Sequence, residues 1–213
     1  MKNCKIFLII AMLFAGIAVE HRDSMAIAGE GESHHQHHEM AAPGNDYKLS
    51  IVKYQAPDVK LMDANGRVVS LRSSLEGGEP VMLNFIFTNC TTNCPVTNSI
   101  FPRVQEKLGP DHGKLRMVSV SIDPEHDSPS RLNAYAKKFG ANGQWSLLTG
   151  SIENSIAVQR AFDAYIGDKK NHRPITFIRN GTGEPWLRID GLASADDLVR
   201  EYRGLASKEL ASN

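Results

Sequence analysis

Two cysteines four positions apart, Cys90 and Cys94, stand in the segment FIFTNCTTNCP, residues 85–95. An apolar run precedes them and a helical pattern follows, so they fall at or just before a helix N-terminus. The unpaired N–H groups and the dipole there, equivalent to about half a positive charge, stabilise a thiolate. Cysteines in such positions have pKa values lowered to roughly 3.5–7.5. The thiolate is the nucleophile of thiol–disulfide exchange and also a soft metal ligand, so both chemistries are open. Spacing bears on the choice. Residues four apart on a regular helix have Cβ atoms about 5–6 Å apart, whereas an unstrained disulfide needs about 3.5–4.5 Å. A metal held through bonds of about 2.3 Å lets the sulfurs stay apart. The spacing therefore favours metal binding without excluding redox exchange. A purely structural bridge would close too short a loop to constrain the unfolded chain much.

Two thiolates rarely complete a metal site. The best third ligand is His172, in KKNHRPITF just ahead of a predicted strand. Thiolates select Cu(I), and imidazole also accepts Cu(II). The alternative for His172 is a surface histidine in a polar loop.

The elements that must position these residues follow from pattern. VMLNFIF, residues 81–87, is a continuous apolar run expected of a buried central strand. A helix is predicted over about 95–108, with Pro102 kinking its interior. LRMVSVSI, residues 115–122, reads as the second buried strand. Ser128-Pro129 marks an N-cap and first helical position for a helix to about 139. A short strand is predicted at 145–148 and a helix at 151–165. A hairpin of 175–179 and 186–190 turns at Asn180-Gly181, and SADD at 194–197 reads as a capping box opening the last helix. Upstream, VKLMDANGRVVSL forms a hairpin about Asn65-Gly66. Strands and helices alternate before a closing hairpin and helix, which predicts an α/β fold with a central mixed sheet. A cysteine motif between a buried strand and its helix is where a thioredoxin-like fold carries its chemistry.

The N-terminus reads as an export signal, residues 1–28. Lys2 and Lys5 precede an uncharged apolar run of 14 residues, 6–19, and AIA at 26–28 offers small residues for cleavage after Ala28. The run is shorter than the roughly 20 residues of a spanning helix. An uncleaved anchor in the inner membrane is the alternative. No cysteine follows the run closely, which argues against lipid attachment. Outside the cytoplasm a cysteine pair is oxidised unless a reductant or a metal occupies it. Residues 29–46, GEGESHHQHHEMAAPGND, lack periodicity and read as a disordered tether. Its His34, His35, His37, His38 and Met40 offer weak metal capture. The folded domain is expected over 47–213. Formal charge balances at 24 against 24. Without residues 1–28 it stands at 21 basic (24 minus Lys2, Lys5 and Arg22) and 22 acidic (24 minus Glu20 and Asp23). Neither balance suits a nucleic-acid partner.

FTNCTTNCP, followed by VSIDPEHDSP and a late histidine before a strand, resembles the SCO/SenC family over about residues 49–206. These are exported, thioredoxin-like copper-binding proteins implicated in cytochrome c oxidase assembly. The resemblance implies a copper site of Cys90, Cys94 and His172. It also implies delivery to a copper enzyme, the binuclear copper site of cytochrome c oxidase subunit II being the expected client, with an upstream copper donor or thiol reductant as a further partner. The alternative function is a thiol–disulfide reductase for the client's metal-binding cysteines, in which Cys90 and Cys94 are catalytic. A peroxide-reducing enzyme is disfavoured, because the supporting threonine and arginine arrangement is missing. Two departures stand out: Asn171 takes a place where the family usually has an acid, and Pro174 is unusual. In DPEHD, the resemblance implies that Asp123 and Asp127 support the site or a partner surface; alternatively Asp127 or Ser128 simply caps the next helix and Pro124 ends the strand, and His126 is expected to be solvated.

Overall fold

The computed structural model describes residues 38–40, 47–89, 99–141, 143–181 and 185–210. Cys90 and Cys94, the apolar run of 6–19 and the histidines at 34, 35 and 37 lie outside them. Among the described residues no helix is long and apolar enough to cross a membrane.

The fold grows from the apolar run at its centre. Nine strands are described: β1 (His38–Met40), β2 (Tyr47–Val52), β3 (Lys60–Asp63), β4 (Val68–Ser70), β5 (Val81–Ile86), β6 (Arg116–Ser121), β7 (Trp145–Thr149), β8 (Ile175–Arg179) and β9 (Trp186–Gly191). The helices are α1 (Leu71–Leu75), α2 (Ile100–Leu108), α3 (Pro129–Lys138), α4 (Ile152–Ala161) and α5 (Ala195–Leu210), with 3-10 segments at Gly109–Lys114 and Lys169–Asn171. One mixed sheet runs β1-β2-β9-β8-β5-β6-β7-β3-β4. Strands β5, β6 and β7 run parallel to one another, while β8 is antiparallel to β5, β9 to β8 and β3 to β7. The order β6-β5-β8-β9, with α2 joining the first parallel pair and α5 after the hairpin, is the thioredoxin-like arrangement.

Every residue of β5 is buried, because both faces of the sheet are covered. Met82 and Ile86 pack with Phe101 and Val104 of α2, Leu132 of α3 and Leu198 of α5. Val81, Leu83 and Phe85 face the other way, toward Leu71 and Leu75 of α1, Val158 of α4, Phe162 and Trp186. The single strand thus divides two cores by its own alternation.

Several local signals act as the sequence predicts. Asp63 accepts from the N–H groups of Asn65 (2.8 Å) and Arg67 (2.9 Å), and Gly66 takes φ +79°, closing the β3–β4 hairpin. Ser128 caps α3 and Pro129 is its first residue. Ser194 and Asp197 exchange reciprocal bonds of 3.2 and 2.9 Å at the start of α5.

Three expectations change. Described α2 starts at Ile100 after the Ser99 cap. Pro102 therefore sits in a first turn, where a missing N–H removes no intrahelical bond, rather than in an interior it would kink. Helix α4 ends at Ala161, short of 165. The Arg188 guanidinium takes the carbonyls of Phe162 (3.0 Å) and Asp163 (3.3 Å), and Asp163 turns to φ +49°. Finally, His38–Met40, within the expected tether, pair with Leu49–Ile51 of β2 as an edge strand. That pairing uses the open backbone of β2 and needs no hydrophobic periodicity. Strands β1 and β4, three residues each, form the two margins of the sheet.

Candidate metal centre

The register puts the predicted site at one end of the sheet. Ile86 of β5 pairs with Ser121 of β6, and Asn84 pairs with Thr176 of β8. The C-terminal ends of β5 and β6 therefore meet the entry to β8, which is the end of an α/β sheet where ligands are held. Chain leaving β5 reaches Cys90 four residues after Ile86, and chain entering β8 carries His172 three residues before Ile175.

His172 follows a 3-10 turn capped by Asp168, whose carboxylate accepts from the Lys170 N–H at 2.9 Å. The His172 N–H itself donates to the Lys169 carbonyl at 3.1 Å. The imidazole is half-buried against β5. Its Nε2 lies 3.2 Å from the Phe85 carbonyl, and its ring meets Phe87 edge-on at 6.4 Å between centroids. A carbonyl oxygen only accepts, so Nε2 carries the hydrogen and Nδ1 keeps the lone pair. Burial pushes the His172 pKa below the ordinary histidine value, and the bond to Phe85 offsets only part of that. The ring is thus a neutral donor near pH 7, the form a metal requires. A cleft beside it is lined by Phe85, Ile100, Phe101, Pro174 and Leu192. Phe85 precedes the cysteine segment and Ile100 follows it, so both flanks of that segment and the imidazole border one space.

The turn at 123–127 has a more definite role than capping. Asp127 is fully buried. The Thr88 N–H donates to its two oxygens (3.1 and 3.2 Å), the Thr88 hydroxyl to Oδ1 (2.5 Å) and the Ser121 hydroxyl to Oδ2 (2.6 Å). Asp123 is also buried. Its carboxylate receives Lys169 Nζ at 2.7 Å and His126 Nδ1 at 2.9 Å. Burial would raise the Asp123 pKa, but the bonds from Lys169 and His126 hold it below the usual carboxylate range. His126 is exposed as expected, its ring lying against Asp123. Sequence reasoning missed Thr88, Ser121 and Lys169. No local pattern links Asp123 to a lysine 46 positions later, and only the fold brings them together.

Asn171 is exposed, and Pro174 stands directly before β8 with its carbonyl accepting from the Gly191 N–H at 3.0 Å. Among the described residues no three His, Cys, Asp or Glu side chains converge on a metal position.

Comparison with known proteins agrees with this architecture. The SCO1/SenC family model matches residues 53–207. A SCO1 protein homolog from Bacillus subtilis (strain 168) is 36% identical over 182 residues, covering 79% of this chain and 91% of the relative. The structure of BsSco, described as a member of the Sco family of cytochrome c oxidase assembly proteins with a disulfide switch, superposes with a TM-score of 0.61 at 26% identity, covering 74% of this chain and 96% of that one. Copper-bound ScoI from Arabidopsis thaliana superposes with a TM-score of 0.60 at 20% identity, covering 72% and 98%. At that identity the second superposition speaks for the fold alone.

Proposed function

The chain belongs to the SCO1/SenC family, and from that premise we propose that it is an exported copper chaperone that carries its cargo on Cys90, Cys94 and His172. The observation that carries the proposal is the His172 imidazole held 3.2 Å from the Phe85 carbonyl, on the strand that runs directly into the cysteine segment. Two soft thiolates and one neutral imidazole suit Cu(I), and the imidazole also accommodates Cu(II). The donor set fits copper: Nδ1 has its lone pair free of the Phe85 bond, and the two cysteines would add soft thiolates. Bound copper would bridge the two sulfurs and the nitrogen, and transfer would proceed by exchange of these ligands for those of a client. The client we propose is the binuclear copper site of cytochrome c oxidase subunit II, on the far side of the inner membrane from the cytoplasm. The export signal at residues 1–28 supports that location, with cleavage or retention as an anchor deciding membrane attachment.

The test is anaerobic Cu(I) titration of the reduced chain, with spectroscopy for sulfur and nitrogen ligation. His172→Ala should weaken binding by more than the roughly 10- to 100-fold that loss of a group merely orienting a ligand costs, while leaving the cysteine pair oxidisable. Unchanged affinity in that variant rejects the imidazole as a ligand.

A second reading has its own support in the disulfide switch described for BsSco, to which this chain is 26% identical. One thiolate of the pair attacks a client disulfide, forming a mixed disulfide and releasing a client thiolate. The other then attacks the mixed disulfide, releasing the reduced client and leaving Cys90–Cys94 oxidised. Both readings use the same sulfurs, so an upstream donor of copper and an upstream reductant are both partners the site would accept. Failure of the reduced chain to reduce an oxidised client fragment counts against the second.

A further inference from the structure

A continuous line of hydrogen bonds joins the two loops of the proposed site. It starts at Thr88, two residues before Cys90, and passes through its N–H and hydroxyl to the Asp127 carboxylate. The Ser121 hydroxyl donates to the same carboxylate at 2.6 Å and accepts from the Asp123 N–H at 3.0 Å. The Asp123 carboxylate takes Lys169 at 2.7 Å, and the Lys169 carbonyl takes the His172 N–H at 3.1 Å. We infer that this chain of contacts, Thr88–Asp127–Ser121–Asp123–Lys169, is a brace that fixes the entry to the cysteine segment relative to His172, with Thr88 and Ser121 as positioning residues for metal binding.

The inference rests on the copper reading above, and extends it from the ligands to what holds them. Secondary structure has no need of these groups. The Ile122 N–H already bonds the Ile86 carbonyl at 2.9 Å, so β5 and β6 stay paired where the brace begins. Helix α3 is capped by Ser128 and not by Asp127. Among the described residues the fully buried Asp127 carboxylate has only neutral donors, and such a group is costly to keep. Here its donors are a residue at the threshold of the cysteine segment and a residue bonded to the aspartate that grips the histidine loop. Thr88 can lie no more than about 7 Å from Cys90 along the chain, so displacement at Thr88 is transmitted to the ligand with little slack. A site whose ligands come from two loops loses affinity when either loop drifts by a fraction of an ångström.

The test compares Thr88→Val with Thr88→Ser, and adds Ser121→Ala. Valine keeps the volume and the N–H but removes the hydroxyl that donates to Asp127, and serine restores it. Cu(I) affinity is measured by competition with a chromogenic chelator on the full chain. The thiol–disulfide equilibrium constant of Cys90–Cys94 is measured separately in a redox buffer, with secondary structure followed by circular dichroism. We expect Thr88→Val and Ser121→Ala to bind Cu(I) about 10- to 100-fold more weakly, with Thr88→Ser within about threefold of the native chain. Thr88→Val binding within about threefold of the native chain, or Thr88→Ser as weak as Thr88→Val, overturns the brace. If Ser121→Ala fails to fold, the two threonine variants decide alone. If the native chain binds no Cu(I) through these ligands, the copper reading fails first. The brace then stands or falls on the redox constant, where Thr88→Val should shift it about tenfold and no shift refutes it.

Discussion

Replacing Lys169 by methionine isolates the grip on the histidine loop. The ammonium lies 2.7 Å from the Asp123 carboxylate, which is 3% exposed, while the lysine side chain is 36% exposed. A hydrogen bond to a charged group contributes about 1.5–3 kcal/mol net. Screening at the exposed ammonium trims that, and the His126 contact at 2.9 Å shares the load. A loss of about 1–2 kcal/mol at pH 7 follows. The sign with pH is fixed by the direction of the Asp123 shift. Its folded pKa is depressed, so its stabilisation is fully present above the unfolded carboxylate value near 3.9 and is lost as pH falls through the folded value. The difference between native and Lys169→Met chains should therefore hold from pH 7 down to about pH 4 and shrink below it. Urea unfolding at both ends of that range reads it as a shift in midpoint with unchanged slope, on the order of 0.5–1 M. A cycle with Asp123→Asn separates the pair from side effects of either substitution. A loss of the same size in the Asp123→Asn background, or one that persists unchanged in acid, would refute the assignment of that energy to the ion pair.

Two other outcomes follow from groups elsewhere in the fold. The depressed pKa of His172 means the unfolded chain takes up a proton first. Stability from this ring is complete above about pH 6.5 and declines as pH drops below it. His172→Gln should flatten that part of the pH profile in chemical denaturation. Arg188 pairs with both oxygens of Asp190 (2.6 and 2.8 Å) and also holds Tyr54, Phe162 and Asp163. Arg188→Met should cost about 2–4 kcal/mol and open the end of α4 to limited proteolysis.

What could be read from the residues, and what could not, divides by range. The run at 81–87 named its own strand because burial on both faces leaves no polar alternation, and β5 occupies Val81–Ile86. Caps and turns at Ser128, Ser194 and Gly66 were legible because each acts within a few residues of itself. Strand β2 was not predicted, although Tyr47–Val52 pairs along its whole length with β9. Its β9 partner comes some 140 positions later, so no local hairpin pattern links the two. The placement of His172 ahead of a strand was readable. Its contact with Phe85, and the role of Asp127 as an anchor rather than a cap, required the fold. The neutral donors of a buried carboxylate leave no mark on charge pattern, so Thr88 and Ser121 read as ordinary strand-end residues.

The shortness of β1 and β4 bears on how the protein avoids sticking to copies of itself. A long open margin would offer a ready template to another copy's backbone. With His38–Met40 at one border and Val68–Ser70 at the other, the described border strands present only a few free amides each. Stacking into larger aggregates is thereby starved of a starting surface.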